Sequence, residues 1–205
     1  MTNGDSNKIL TKYSIEPNNL IELNGPWELG YAIALHSISS IPIDPGRHLY
    51  DTTYTPVGKL LHTYKYTVSY SSKDDLVNIS IAIIRVKFHD LSIDILTIPP
   101  SNSKRVYYQP MEEIAKGVSS NSGIQFHKIF AQKEMGKTMK SIELKNEKRK
   151  YLVENIYCGA NNIKNKTILI IDDIFDSGAT LETCTQKLKE QNCKNVYVLT
   201  FTKTR

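Results

Sequence analysis

The sequence predicts an α/β fold in which a parallel sheet is flanked by helices. Three observations predict it. Ile168-Leu-Ile-Ile171 is a short continuous apolar run between polar residues, the pattern of a strand buried on both faces. The small-residue turn Asp176-Ser-Gly-Ala-Thr180 follows, and opens into a segment where Leu181, Cys184 and Leu188 recur at helical spacing. Two more apolar strands are read nearby, Ile93 to Ile98 before this unit and Val196 to Phe201 after it.

In chain order, residues 1–20 are polar and are expected to be loosely held. From Trp27 onward Leu29, Tyr31, Ile33 and Leu35 alternate with smaller or polar residues, as in a half-buried strand. Ile41-Pro-Ile-Asp-Pro-Gly46 is turn chemistry. Thr55 and Pro56 suit the N-cap and first position of a helix whose apolar stripe is Val57, Leu60, Leu61 and Tyr64. Thr67 to Asp75 is polar enough to be a loop. Leu76 to Phe88 is β-branched like a strand, yet Val77, Ile81, Ile84 and Phe88 have helix spacing. The apolar strand that follows immediately argues for helix. Pro99 and Pro100 stop that strand and stiffen the loop to Arg105. Pro110 opens a helix with Met111, Ile114, Ala115 and Val118 on its buried face. Ile124 to Phe130 suits a short strand, and Ala131 to Lys150 is a charged segment poor in core residues. The helix after the 176–180 turn is expected to end near Asn192.

A strand, a glycine-containing turn and a helix N-terminus present free backbone N–H groups and the positive end of a helix dipole. Their natural ligand is a phosphate. Asp172 and Asp173, one step back, would repel that phosphate but suit hydroxyl groups or a hydrated cation beside it. A phosphate next to vicinal hydroxyls describes a ribose 5-phosphate.

Asp172-Asp-Ile-Phe-Asp-Ser-Gly-Ala-Thr180 resembles the 5-phosphoribosyl 1-pyrophosphate (PRPP) motif of the type I phosphoribosyltransferases. Gly25-Pro-Trp-Glu-Leu-Gly-Tyr31, Gly58-Lys-Leu-Leu61 with Lys65-Tyr66, Ile98-Pro-Pro-Ser101, Gln109-Pro110 and Val198 to Arg205 resemble the ComF-like branch of that family. The resemblance implies a core at 71–205, an N-terminal hood over the nucleophile's site at 1–70, and a flexible lid at about 131–150. It implies transfer of a 5-phosphoribosyl group from PRPP and Mg²⁺ to a base or other small nucleophile, with release of pyrophosphate. Asp176, Ser177, Gly178, Ala179 and Thr180 would hold the 5-phosphate, and Asp172 and Asp173 the ribose and, through water, the metal. Pro100, Ser101, Lys104 and Arg105 would hold pyrophosphate, with Lys104 and Arg105 stabilising its departure. Asp176 would serve as the proton-transfer group toward the base, and Lys137, Lys140 and Arg149 of the lid would contact the leaving group. A homo-oligomer is expected. The branch also implies an alternative, a non-catalytic PRPP- or nucleotide-sensing regulator, or a protein linked to DNA uptake.

The 205 residues suit one domain, or one with a small appendage, and their 40% hydrophobic and 23% charged content is ordinary for a globular chain. No run approaches the roughly 18 apolar residues of a membrane span. The polar start lacks the apolar core of a signal peptide, so a cytoplasmic location is expected. Cys158, Cys184 and Cys193 form no Cys-x-x-Cys pair, against a disulfide framework or zinc site; here the chain departs from many ComF-like proteins. The five histidines show no paired ligand spacing. A net charge of +5 fits an anionic substrate, weak nucleic-acid affinity or simply a mildly basic surface. Two rival motifs fail on context. Ala131 to Thr138 satisfies a relaxed Walker A pattern but lacks the glycines that let amides close around a phosphate. Asp172-Asp-x-x-Asp176 spells the DDxxD of prenyl-diphosphate enzymes, yet it follows a β-branched run and precedes a glycine rather than sitting on a helix.

Overall fold

The computed structural model describes residues 3–44, 49–67, 69–101, 109–133, 145–159 and 162–205. Helix α1 (Asn3–Lys12) leads through a 3-10 turn to β1 (Ile21–Glu22) and β2 (Leu29–Leu35). The hairpin strands β3 (Ser37–Asp44) and β4 (Leu49–Tyr54) follow, then α2 (Pro56–Thr67), α3 (Tyr70–Lys87), β5 (Ile95–Thr97) and α4 (Pro110–Ser122). After β6 (Gln125–Phe126) come β7 (Phe130–Gln132), α5 (Lys145–Asn155) and β8 (Ile156–Cys158). The chain finishes with β9 (Thr167–Phe175), α6 (Ala179–Glu190) and β10 (Asn195–Lys203).

Six strands form one sheet in the order β1-β2-β10-β9-β5-β6, parallel except where β1 folds back on β2. Two small antiparallel pairs, β3–β4 and β7–β8, stand apart from it. The apolar run of β9 covers both faces of the sheet. Leu169 and Ile171 pack with α1, α2, α3 and α4, while Ile168 and Ile170 pack with α5, α6 and Trp27. That two-sided burial is why the run reads as continuous rather than alternating.

The connections set the site. From β5 the chain moves outward to β6, with α4 on the first face; from β9 it moves the other way to β10, with α6 on the second. The winding therefore reverses between β5 and β9. Ligands of open α/β sheets bind at such a reversal.

The α/β fold, the helix over Leu76–Phe88 and the helix with its N-cap at Thr55 are all observed, the last with the Gly58 amide donating to Thr55 Oγ1 at 3.0 Å. Three expectations need correction. Residues 3–12 form α1, with Ile9 and Leu10 buried, and Ile15 and Leu20 buried beyond it, because α3 offers an apolar face for them. Ile41 to Asp44 lies in β3, paired with β4, although Pro42 removes one donor; residues 45–48 lie outside the described ones. The stretch 70–75 begins α3 instead of forming a loop. Ser69 caps it by accepting from Ser72 N, and Asp75 accepts from Lys12 Nζ (2.6 Å) and from the Tyr13 hydroxyl. The periodicity of α3 is ambiguous because residues 76–84 are all buried apart from the half-buried Asn78, so no polar stripe marks that stretch. Among the described residues no helix is long and apolar enough to cross a membrane.

Because α1 docks through buried leucine and isoleucine, Leu10→Ala should cost about 2–5 kcal/mol. Urea unfolding checks this, and a loosely held N-terminus would instead leave the midpoint unmoved.

Candidate active site at the carboxyl edge of the sheet

Strand β9 continues through both acids to Phe175, so successive side chains alternate between faces. Asp172 lies on the side of α6, where its charge is felt by the buried Cys184 thiol. Asp173 lies toward α2 and forms an ion pair with Lys65 Nζ. Oδ1 of Asp172 accepts from the Asp173 amide at 2.8 Å. Burial foremost, and then the Asp173 charge, push the Asp172 carboxyl well above the usual carboxylate range, to about 8; its bond from the Asp173 amide and the Lys65 charge offset only part of this. Beside it on β10, Thr200 is fully buried, and its hydroxyl has no hydrogen-bond partner among the described residues.

A short relay braces the Asp173 peptide. The Thr202 hydroxyl donates to Asp173 O at 3.3 Å, and His36 Nδ1 lies 3.0 Å from that hydroxyl. With Thr202 donating onward, the hydrogen of the second contact belongs to Nδ1. Burial first, and then Lys65, hold the His36 imidazole below its usual pKa, which favours this neutral tautomer.

The turn after β9 is held from three sides. Gly178 is the N-cap of α6 at φ +77° and, having no side chain, makes no cap bond of its own to the first-turn amides. A Cβ at Gly178 would meet Phe175 Cζ at 2.8 Å, and Phe175 itself stands edge-on to Trp27 at 6.2 Å. Thr204 donates its amide to Phe175 O (2.9 Å) and its hydroxyl to Asp176 Oδ1 (3.0 Å). Asp176 is exposed, Ser177 and Thr180 are half-buried, and Gly178 and Ala179 are buried. The bend therefore lies at the sheet edge with its buried part packed on Phe175.

Pro100 is half-buried and Ser101 exposed just beyond β5, whose Thr97 pairs with Ile170 of β9. The second loop thus begins at the neighbouring strand end, beside the acids. Lys104 and Arg105 lie outside the described residues, as do Lys137, Lys140 and the Arg149 side chain. Among the described residues no group of three or more His, Cys, Asp or Glu side chains comes together as a metal cage. Lys65, His36 and Thr202 are the residues that sequence reasoning missed as parts of this site. Lys65-Tyr66 was quoted only as a family likeness, and its contact with Asp173 is a long-range one that no local pattern announces.

Residues 113–204 match the family model described as a phosphoribosyl transferase domain. That stretch runs from α4 to β10 and contains both acids and the turn. No curated protein matches the chain in sequence. Among solved structures it is similar to adenine phosphoribosyltransferase from Saccharomyces cerevisiae, complexed with an imino-altritol bisphosphate and adenine. The identity is 11%, over 80% of this chain and 83% of that one, with a TM-score of 0.48. A second adenine phosphoribosyltransferase is similar at 12% identity, over 80% and 84% of the two chains, with a TM-score of 0.46. A hypoxanthine phosphoribosyltransferase from Staphylococcus aureus follows at 16% identity, over 62% of each chain, with a TM-score of 0.39. At these scores the likenesses carry no functional weight.

Gly178→Ala should be strained twice, by its positive φ and by Phe175, and should cost about 1–2 kcal/mol from the backbone alone; thermal unfolding measures it. Asp172 also gives a pH dependence. Unfolded, its carboxyl releases a proton near about 4; folded, it does so at about 8. Between those values the folded state holds the extra proton, so this carboxyl's contribution to stability falls as pH rises through the window. Asp172→Asn should remove that component and be the more stable protein above pH 8, as read from melting temperature against pH.

Proposed function

We propose that the protein is a PRPP-dependent phosphoribosyltransferase acting on a base or other small nucleophile. The observation that carries this reading is the glycine-led N-terminus of α6, directly after two acids at the reversal point of the sheet. The match of residues 113–204 to a phosphoribosyl transferase domain supports it. In this reading the amides of Ser177 to Thr180 anchor the 5-phosphate, where the dipole of α6 favours negative charge. Asp173 and Asp172 take the ribose hydroxyls. Asp172, protonated near neutrality, donates to one hydroxyl while Asp173 accepts from another, so the pair need not carry two adjacent negative charges.

The bond from ribose C1 to pyrophosphate breaks through an oxocarbenium-like state, and electrostatic support of the leaving group is the main requirement. Mg²⁺, held mainly by the substrate's own oxygens with the two acids bracing its waters, would supply positive charge to that leaving group. The loop that starts at Pro100 and Ser101, with Lys104 and Arg105, is proposed to face the same oxygens, and the 131–150 segment to exclude water. Asp176 is committed to Thr204 in the absence of substrate, so its role as proton carrier to the base requires that contact to open.

A second reading is a PRPP- or nucleotide-sensing protein without transfer, favoured by the ion pair that already occupies Asp173. Pyrophosphate release from PRPP and Mg²⁺ with a panel of bases separates the two. The transferase reading expects release with one base class, and Asp173→Asn should lower kcat/KM roughly 10²-fold, the scale for losing one active-site electrostatic contact. PRPP binding without release under any nucleophile would favour the sensor.

A further inference from the structure

We propose that Lys65 is a positioning residue of this site, setting the Asp173 carboxylate for the ribose and tying α2 mechanically to the acid pair. The inference rests on the phosphoribosyl reading above and adds a part to it. Lys65 reaches the sheet edge because of how α2 is seated. The Thr55 hydroxyl donates to Leu35 O at 2.6 Å and accepts from the Gly58 amide, pinning the first turn to the end of β2. Gly58 then rides directly on the His36 carbonyl, where an added Cβ would come within 2.0 Å of the oxygen. Leu61 and Lys65 lie three and seven residues further on, which is the same helix face. Leu61 is buried in the core, and Lys65 projects past the edge onto Asp173.

The ion pair is a poor candidate for a stability device. Each side chain keeps about a quarter of its exposure (25% for Lys65, 24% for Asp173), and pairs in contact with water contribute little. Its position is more telling. Asp173 is held at its peptide by Thr202 of β10 and at its carboxylate by Lys65 of α2, so backbone and side chain are each set by a different element. Offsetting one charge of two adjacent acids also lowers the repulsion that a phosphate-bearing ligand meets on entering.

The test is calorimetric binding of PRPP with Mg²⁺ to the wild-type chain, Lys65→Met, Lys65→Arg, Asp173→Asn and the Lys65→Met/Asp173→Asn double variant. Melting temperatures of each confirm that the variants are folded. Lys65→Met should weaken binding roughly tenfold, Lys65→Arg should recover most of it, and Lys65→Met should add little once Asp173 is already Asn. Unchanged or tighter binding by Lys65→Met, or effects that simply add in the double variant, overturns the role of Lys65 alone. A wild-type chain that binds no PRPP overturns the phosphoribosyl reading, and the role of Lys65 with it.

Discussion

The carboxyl end of β9 is the constraint on which the edge of this molecule depends. The strand is clamped on both sides as far as Ile170, by β10 and β5, and by β10 alone from there to Phe175. Its last residues therefore cannot curl, and their side chains must alternate. Asp172 goes to the face of α6, and Asp173 to the face of α2. Two acids that are neighbours in sequence, both half-buried, are thereby given different surroundings, one toward α6 and one set against a lysine.

That division answers an electrostatic problem. Two carboxylates on adjacent residues near a buried sheet edge cannot both be charged without cost. Here the conflict is settled in two ways at once. Burial favours the neutral form of Asp172, while Lys65 offsets the charge of Asp173. In the proposed reading this leaves one donor and one acceptor side by side for a vicinal diol. The same logic explains the separation of the turn from the acids. In the proposed reading phosphate binding is left to backbone amides, which carry no side-chain charge to repel or attract anything else.

The strand–turn–helix unit was legible because its signals are local. A β-branched run, a glycine and a helical stripe each report on a few neighbouring residues, and Gly178 does sit at positive φ where the helix begins. The cap at Thr55 was legible for the same reason. What failed were stretches whose structure depends on distant partners. Residues 3–12 carry few apolar groups, and they become a helix only because α3 covers Ile9 and Leu10. The first turn of α3 is polar, and its Asp75 is held by Lys12 and Tyr13 from the other end of the chain. Within the site, the acids and the turn could be named in advance, whereas His36, Thr202 and Lys65 converge only when β2, β10 and α2 are brought together. No spacing rule links residues 36, 65, 173 and 202.

The reversal of the chain between β5 and β9 adds a geometric argument that does not depend on any motif. The helix after β9 lies on one face of the sheet and the helix after β5 on the other. A ligand lodged between the two strand ends is therefore flanked by loops that come from opposite sides. On the α6 side stands the glycine-led turn, and on the other the chain leaves β5 through Pro100 and Ser101. Between them stand the acids, unsuited to any anion but suited to hydroxyls. In the proposed reading the turn takes one anion and the acids take the polyol beside it, an order that a sugar phosphate matches without rearranging the sheet.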